Sequence, residues 1–296
     1  MTNRRMTDRK VTKRRLEQFE IYMIQAEKRK STIEKYMRDV QKLHVFAGER
    51  ELTKELLLQY KDALYKSGRY HVASINSFLA AANYFCTCMQ WTELHVKLFR
   101  IQQDAFLPEK RELSVQEYQR LIGTAMQRGE ERLAMLIQTI GSTGIRISEL
   151  PNVTVESLEE GMTEIYNKGK TRRILYPSEL IELLTCYAGR HHIRHGCIFR
   201  TYTGKPLDRC NIWRDMKRLC EYAEVSPEKV YPHNLRHLFA RRFYEINQDI
   251  AKLADMLGHS SIETTRIYIK STGREHKKLL DQMRLVYPDM LGWDVG

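Results

Sequence analysis

One stretch breaks the rhythm of this sequence. Along most of its 296 residues, apolar side chains recur every three or four positions, the period of an amphipathic helix. Over Met162–Tyr166 and Arg172–Tyr176 they alternate instead, with Asn167-Lys168-Gly169-Lys170 between them as a turn. That pattern predicts a short β-hairpin carrying two lysines at its tip. Helical periodicity around a hairpin restricts the fold to a mainly α class with a small β-sheet.

The helical segments fall into two groups. Leu16, Phe19, Tyr22 and Met23 mark a first helix, and Ser31-Thr32-Ile33-Glu34 reads as a capping box opening a second. A third starts at Thr53 and stops at Gly68, and a fourth covers about 72–89. Together they predict a four-helix bundle over residues 1–105. Periodicity fades around Pro108, so 106–113 reads as a linker. A second domain over 114–296 opens with the capping box Ser114-Val115-Gln116-Glu117. Its next helix, from Glu130, is expected to break at Gly141 and Gly144. Further helices are expected at about 178–184, 207–223, 233–246 and 250–257. A last one over 273–287 would carry Leu279, Leu280, Met283 and Val286.

Charge narrows the partner. A formal net charge of +12 calls for a polyanion. No stretch approaches the roughly 18 apolar residues of a spanning helix, so nucleic acid is favoured over a membrane. The first residues are too polar for a secretory signal, and the six cysteines show no pairing rhythm, as expected of reduced thiols in a cytosolic protein. Residues 1–15 hold seven Arg or Lys against the single acid Asp8, which fits either a frayed terminus or an arm along a DNA backbone.

The residues with chemical potential cluster late in the chain. His233 and Arg236 stand one helical turn apart and so share a face. Gly258-His259 follows, and Tyr268 lies nine positions after that histidine. Farther back, Arg146 stands in the run Gly144–Leu150, just after a glycine turn whose free amides also favour anions. Guanidinium forks suit the non-bridging oxygens of a phosphodiester in transit. A phenol with a pKa near 10 needs a base to attack at neutral pH, and His233 is the candidate. His259 could donate a hydrogen bond to the phosphate or to Tyr268. A hairpin lysine, Lys168 first and Lys170 second, could protonate a leaving oxygen. His233 and His237 have the spacing of a helical zinc pair, yet Asn234 stands where a metalloprotease needs glutamate, so no metal is expected. No glycine-rich phosphate loop points to nucleotide hydrolysis.

These motifs resemble the tyrosine recombinase (phage integrase) family. Gly144–Leu150, GIRISEL, is similar to its first-arginine box. Pro232–Ala240, PHNLRHLFA, is similar to its His-x-x-Arg box, and Leu257–Tyr268 to its His-then-Tyr box. The NKGKTRRILYP hairpin is similar to the one bearing the family's catalytic lysine, matched here by Lys168. Chain length resembles the compact Xer-type members. The resemblance implies a core-site-binding domain followed by a catalytic domain, without ATP, metal or other cofactor. It implies a 3′-phosphotyrosine at Tyr268, with Arg146 and Arg236 on the phosphoryl oxygens, His259 as hydrogen-bond donor, His233 as base and Lys168 as acid. Lys170, Arg172, Arg173, Arg241 and Arg266 are the expected contacts to double-stranded DNA. It also implies a homo-tetramer on DNA, or a hetero-tetramer with a paralogue, joined through the last helix. A type IB topoisomerase-like nicking-closing enzyme and a non-catalytic DNA-binding regulator of the same fold are the alternatives.

Overall fold

In the computed structural model the described residues are 8–101, 112–167, 170–259, 261–269 and 280–283. The chain divides into two compact units, Met1–Gln103 and Asp104–Gly296.

In the first unit the described helices are α1 (Lys13–Gln25), α2 (Lys30–Ala47), α3 (Lys54–Lys66), α4 (Val72–Cys88) and a 3-10 helix (Thr92–Leu94). Thr12 and Thr53 cap α1 and α3 through their hydroxyls. Phe19, Met23, Val40, Leu43, Leu57, Leu79 and Phe85 close the core, each essentially without solvent contact. The expected Ser31 cap does not form. α2 begins earlier, and its first turn closes on the Arg29 carbonyl, which accepts from the Thr32 and Ile33 amides. Ser31 is thus inside the helix, where its hydroxyl has no cap to make. Residues 8–12 are docked: Val11 is buried, the Leu52 amide donates to the Arg9 carbonyl, and Arg9 pairs with Glu93 at 2.8 Å. Residues 1–7 of the expected basic arm lie outside the described residues.

The second unit is built round α6 (Glu131–Thr143), which buries residues on nearly every face. α5 (Val115–Gln127), opened by the Ser114–Glu117 capping box, packs against it. The expected break at Gly141 is absent. That residue lies within α6, and a glycine suits it because the Tyr118 ring lies where a side chain would stand, a Cβ there falling 2.6 Å from Tyr118 Cε2. α6 ends at Gly144, whose backbone is left-handed (φ +63°). After it come a 3-10 helix (Ile147–Asn152) and α7 (Val155–Glu159). The antiparallel hairpin follows, β1 (Met162–Asn167) with β2 (Lys170–Leu175), in register Met162 opposite Leu175. α8 (Ser178–Arg190), α9 (Arg209–Ala223), α10 (Pro232–Asn247), α11 (Ile250–Leu257) and α12 (Ile262–Arg266) complete the described elements. α10 lies on α6, and α11 lies on α10, α12 and β2. The helix expected over 273–287 falls mostly outside the described residues; within them 280–282 are helical, and Leu280 and Met283 are exposed. Among the described residues no helix is long and apolar enough to cross a membrane.

Candidate active site

Three arginines converge on the C-terminal end of α11. The last carbonyls of a helix lack amide partners and carry partial negative charge, so cations gather there. Gly258, left-handed at φ +63°, turns the chain out of α11 and exposes those carbonyls. Arg236, 1 % exposed, donates through Nη2 to the Leu257 carbonyl at 2.6 Å and through Nη1 to the Gly144 carbonyl. Arg172 donates to the Leu257 and Met256 carbonyls. Arg146 reaches the Gly258 carbonyl at 3.4 Å. Gly144 and Gly258 are both needed. Each has a positive φ, and a Cβ would meet the Phe239 ring at 2.5 Å at the first and the Arg172 side chain at the second.

One carboxylate organises two of these cations. Buried Glu149 accepts from the Arg146 amide at 2.9 Å, from Arg146 Nη1 at 3.0 Å and from Arg172 Nη2 at 2.6 Å. This alters the expectation for the turn after Gly144: a 3-10 helix starts there, and Glu149 already occupies the Arg146 amide. Among the described residues it is the one carboxylate bonded to any of the three guanidiniums, and it leaves Arg236 without one, so the cluster keeps an excess of positive charge. Burial and the neighbouring Arg146 draw the Arg236 guanidinium down to about 10, still cationic at neutral pH.

Tyr268 sits inside this cluster, 6 % exposed, although it follows α12 by only two residues. Its hydroxyl is 3.4 Å from His233 Nε2, and the Arg236 guanidinium carbon lies 5.8 Å from its ring centre. Three imidazoles surround the phenol ring, with His237 stacked on it at 4.2 Å and 21°. His259 receives Arg236 Nη2 on its Nε2 at 3.1 Å, and its Nδ1 is 2.9 Å from Thr265 Oγ1. Arginine has only donors, so Nε2 is the acceptor and Nδ1 carries the proton, donated to Thr265. In this arrangement His259 accepts from Arg236, whereas the sequence suggested a donor to the phosphate or to Tyr268. Burial, then the nearby cations, lowers all three imidazoles: His233 below its usual range, His237 and His259 to about 4. Each is therefore neutral at pH 7, and His233 can accept a proton through Nε2.

Arg146, His233, Arg236, His259 and Tyr268 thus share one site. Lys168 lies outside the described residues, as does the side chain of Lys170, whose backbone begins β2. Arg172 and Arg241, expected as DNA contacts, are both engaged within the chain. Arg172 is committed to Glu149 and α11, and Arg241 pairs with Glu112 at 2.6 Å and bonds the Leu113 carbonyl. Arg173 and Arg266 remain on the surface, paired with Glu164 and Glu263. Sequence reasoning passed over Glu149 and Thr265, and weighed His237 only as half of a zinc pair. Glu149 carried a signal, three residues after Arg146 at capping-box spacing.

The model of the phage integrase family matches residues 111–275. Tyrosine recombinase XerA of Pyrococcus furiosus is 28 % identical over 278 residues, covering 92 % of this chain and 94 % of its own. Tyrosine recombinase XerD of Halalkalibacterium halodurans is 27 % identical over 267 residues, covering 82 % and 87 %. The fold matches the XerH site-specific recombinase bound to palindromic difH substrate after cleavage, with a TM-score of 0.70 at 21 % identity, over 84 % of this chain and 79 % of that one.

Proposed function

The chain belongs to the phage integrase family, and from that premise we propose that it is a site-specific tyrosine recombinase using Tyr268 as nucleophile. The observation that carries this reading is the Tyr268 hydroxyl 3.4 Å from the neutral His233 Nε2, within an arginine cluster short of counter-charge. Tyr268 Oη attacks a backbone phosphorus of duplex DNA while its proton passes to His233. The bond to the 5′ oxygen breaks, leaving a 3′-phosphotyrosine and a 5′ hydroxyl once that oxygen is protonated. Lys168 is the proton donor that the family resemblance supplies. Arg236 and Arg146 neutralise the charge that gathers on the non-bridging oxygens. The buried Arg236 Nε–H has no acceptor among the described residues, which supports a role toward an anion. Religation reverses the step: the 5′ hydroxyl of a partner strand attacks the phosphotyrosine and releases the phenol. Because the ester conserves the bond, no nucleotide or metal is consumed.

The expected setting is cytoplasmic, on double-stranded DNA, with four copies exchanging strands through a four-way junction, all of one chain or shared with a paralogue. Residues 1–105 are read as the core-site-binding domain and 114–296 as the catalytic domain. Nicked suicide duplexes from the gene's own neighbourhood test the assignment. The wild-type protein should form an SDS-stable DNA adduct, and Tyr268→Phe should bind the same duplex without forming one. An adduct on the phenylalanine variant would overturn the assignment.

A further inference from the structure

His237 stands one turn beyond His233 on α10 and is given no part in the proposed reaction. Its ring lies almost parallel to that of Tyr268, centroids 4.2 Å apart at 21°. It meets His233 edge-on at 4.8 Å and 88°. The Tyr268 ring contacts His233 at 5.2 Å and 67° and His259 at 5.0 Å and 41°, so His237 forms the one flat wall of a box of imidazoles. Phe239, Phe243, Tyr244 and Ile269 pack round the same small core, which buries Tyr268 with Ala240, Leu253 and Leu257.

A tyrosine side chain placed after a five-residue helix has two torsions to settle before its oxygen is aimed. A planar surface at stacking distance restricts both, because rotation of the phenol ring would drive its edge into the imidazole. We propose that His237 is a positioning residue for the nucleophile: its face holds the Tyr268 ring so that the hydroxyl rests on His233 Nε2. This rests on Tyr268 being the nucleophile. The contacts of His237 are with the ring and the backbone of Tyr268, while the hydroxyl has His233 as its partner, so His237 acts through Tyr268. Its neutrality at pH 7 suits the role, since a cation here would compete with Arg236 for the phosphate.

Two substitutions separate stacking from space filling. His237→Phe keeps a flat ring, and His237→Leu keeps apolar bulk without one. The probe is a nicked duplex carrying the sequence that the wild-type protein enriches from a random pool. Single-turnover adduct formation should stay within about threefold of wild type in His237→Phe and fall about 10²-fold in His237→Leu, the loss expected when a reacting atom is misplaced by about 1 Å. DNA affinity should match in all three. In the DNA-free proteins, the Tyr268 ring protons, assigned by Tyr268→Phe, should keep their ring-current shift in His237→Phe and lose it in His237→Leu. His237→Leu reacting as fast as wild type, or His237→Phe as slowly as His237→Leu, overturns the proposal. If wild type forms no adduct, the recombinase reading fails, and the ring-proton shifts alone decide whether His237 fixes Tyr268.

Discussion

Glu149 accepts hydrogen bonds from two arginines while nearly sealed from solvent, and Arg172 depends on it for its ion pair. Removing one partner of a buried pair leaves an uncompensated charge, at a cost of about 3–5 kcal/mol. Glu149→Ala is therefore expected to lose about that much unfolding free energy in urea titrations, and Glu149→Gln less, since its amide oxygen still accepts. The imidazoles give a second outcome at this scale. His233, His237 and His259 bind protons less readily folded than unfolded. As pH falls from 6.5 toward 4, the unfolded chain takes up protons that the folded chain refuses, so stability is full above 6.5 and drains away below it. The melting temperature should fall across that window, and His237→Phe should flatten the fall. His233, Arg236, His259 and Tyr268 could be picked from the sequence because their chemistry is distinctive at fixed spacing. His237 could not, because ring stacking leaves no mark on a sequence and its spacing to His233 suggested a metal pair instead.

The end of α11 is the element that gathers the site. Its carbonyls hold three guanidiniums, and Gly258 allows the turn while leaving room for Arg172. Gly129, in the same unit, also has a positive φ (+70°) but nothing within 4 Å of a Cβ. Gly129→Ala should cost only the left-handed backbone, about 1–2 kcal/mol. Gly258→Ala should cost more and slow DNA adduct formation besides, measured by denaturant midpoint and suicide-duplex capture. Equal losses in both would mean that the Arg172 contact is immaterial. Elements were legible where periodicity ran long: α3, α4, α10 and α11 lie close to where their apolar stripes put them. The failures were local. A Ser-x-x-Glu spacing at Ser31 imitates a cap that the actual start of α2 leaves unused, and Gly141 reads as a break although Tyr118 fills the space beside it. The convergence of Arg146, Arg172 and Arg236 joins segments far apart in the chain, 92 residues for the Arg236 bond to Gly144 and 112 for the Arg146 bond to Gly258, beyond any local pattern.

At the scale of the whole molecule, two units carry separate cores. A fragment Met1–Gln103 is expected to unfold cooperatively by itself, followed by circular dichroism; a non-cooperative melt would mean that it needs the rest of the chain. The net charge of +12 predicts DNA binding driven largely by counterion release. For about 6–10 phosphate contacts, affinity should fall about 10³–10⁵-fold between 50 and 200 mM salt. The expectation of two domains came from periodicity that fades around Pro108, and charge says only that the partner is a polyanion; the reaction rests on the few side chains around one phenol. The most direct measurement of that claim is peptide mapping of the trapped DNA adduct by mass spectrometry after nuclease and protease digestion. The account predicts a 3′-nucleotide esterified to the Tyr268 oxygen and to no other residue. A nucleotide on a different side chain, or joined through its 5′ phosphate, would contradict it.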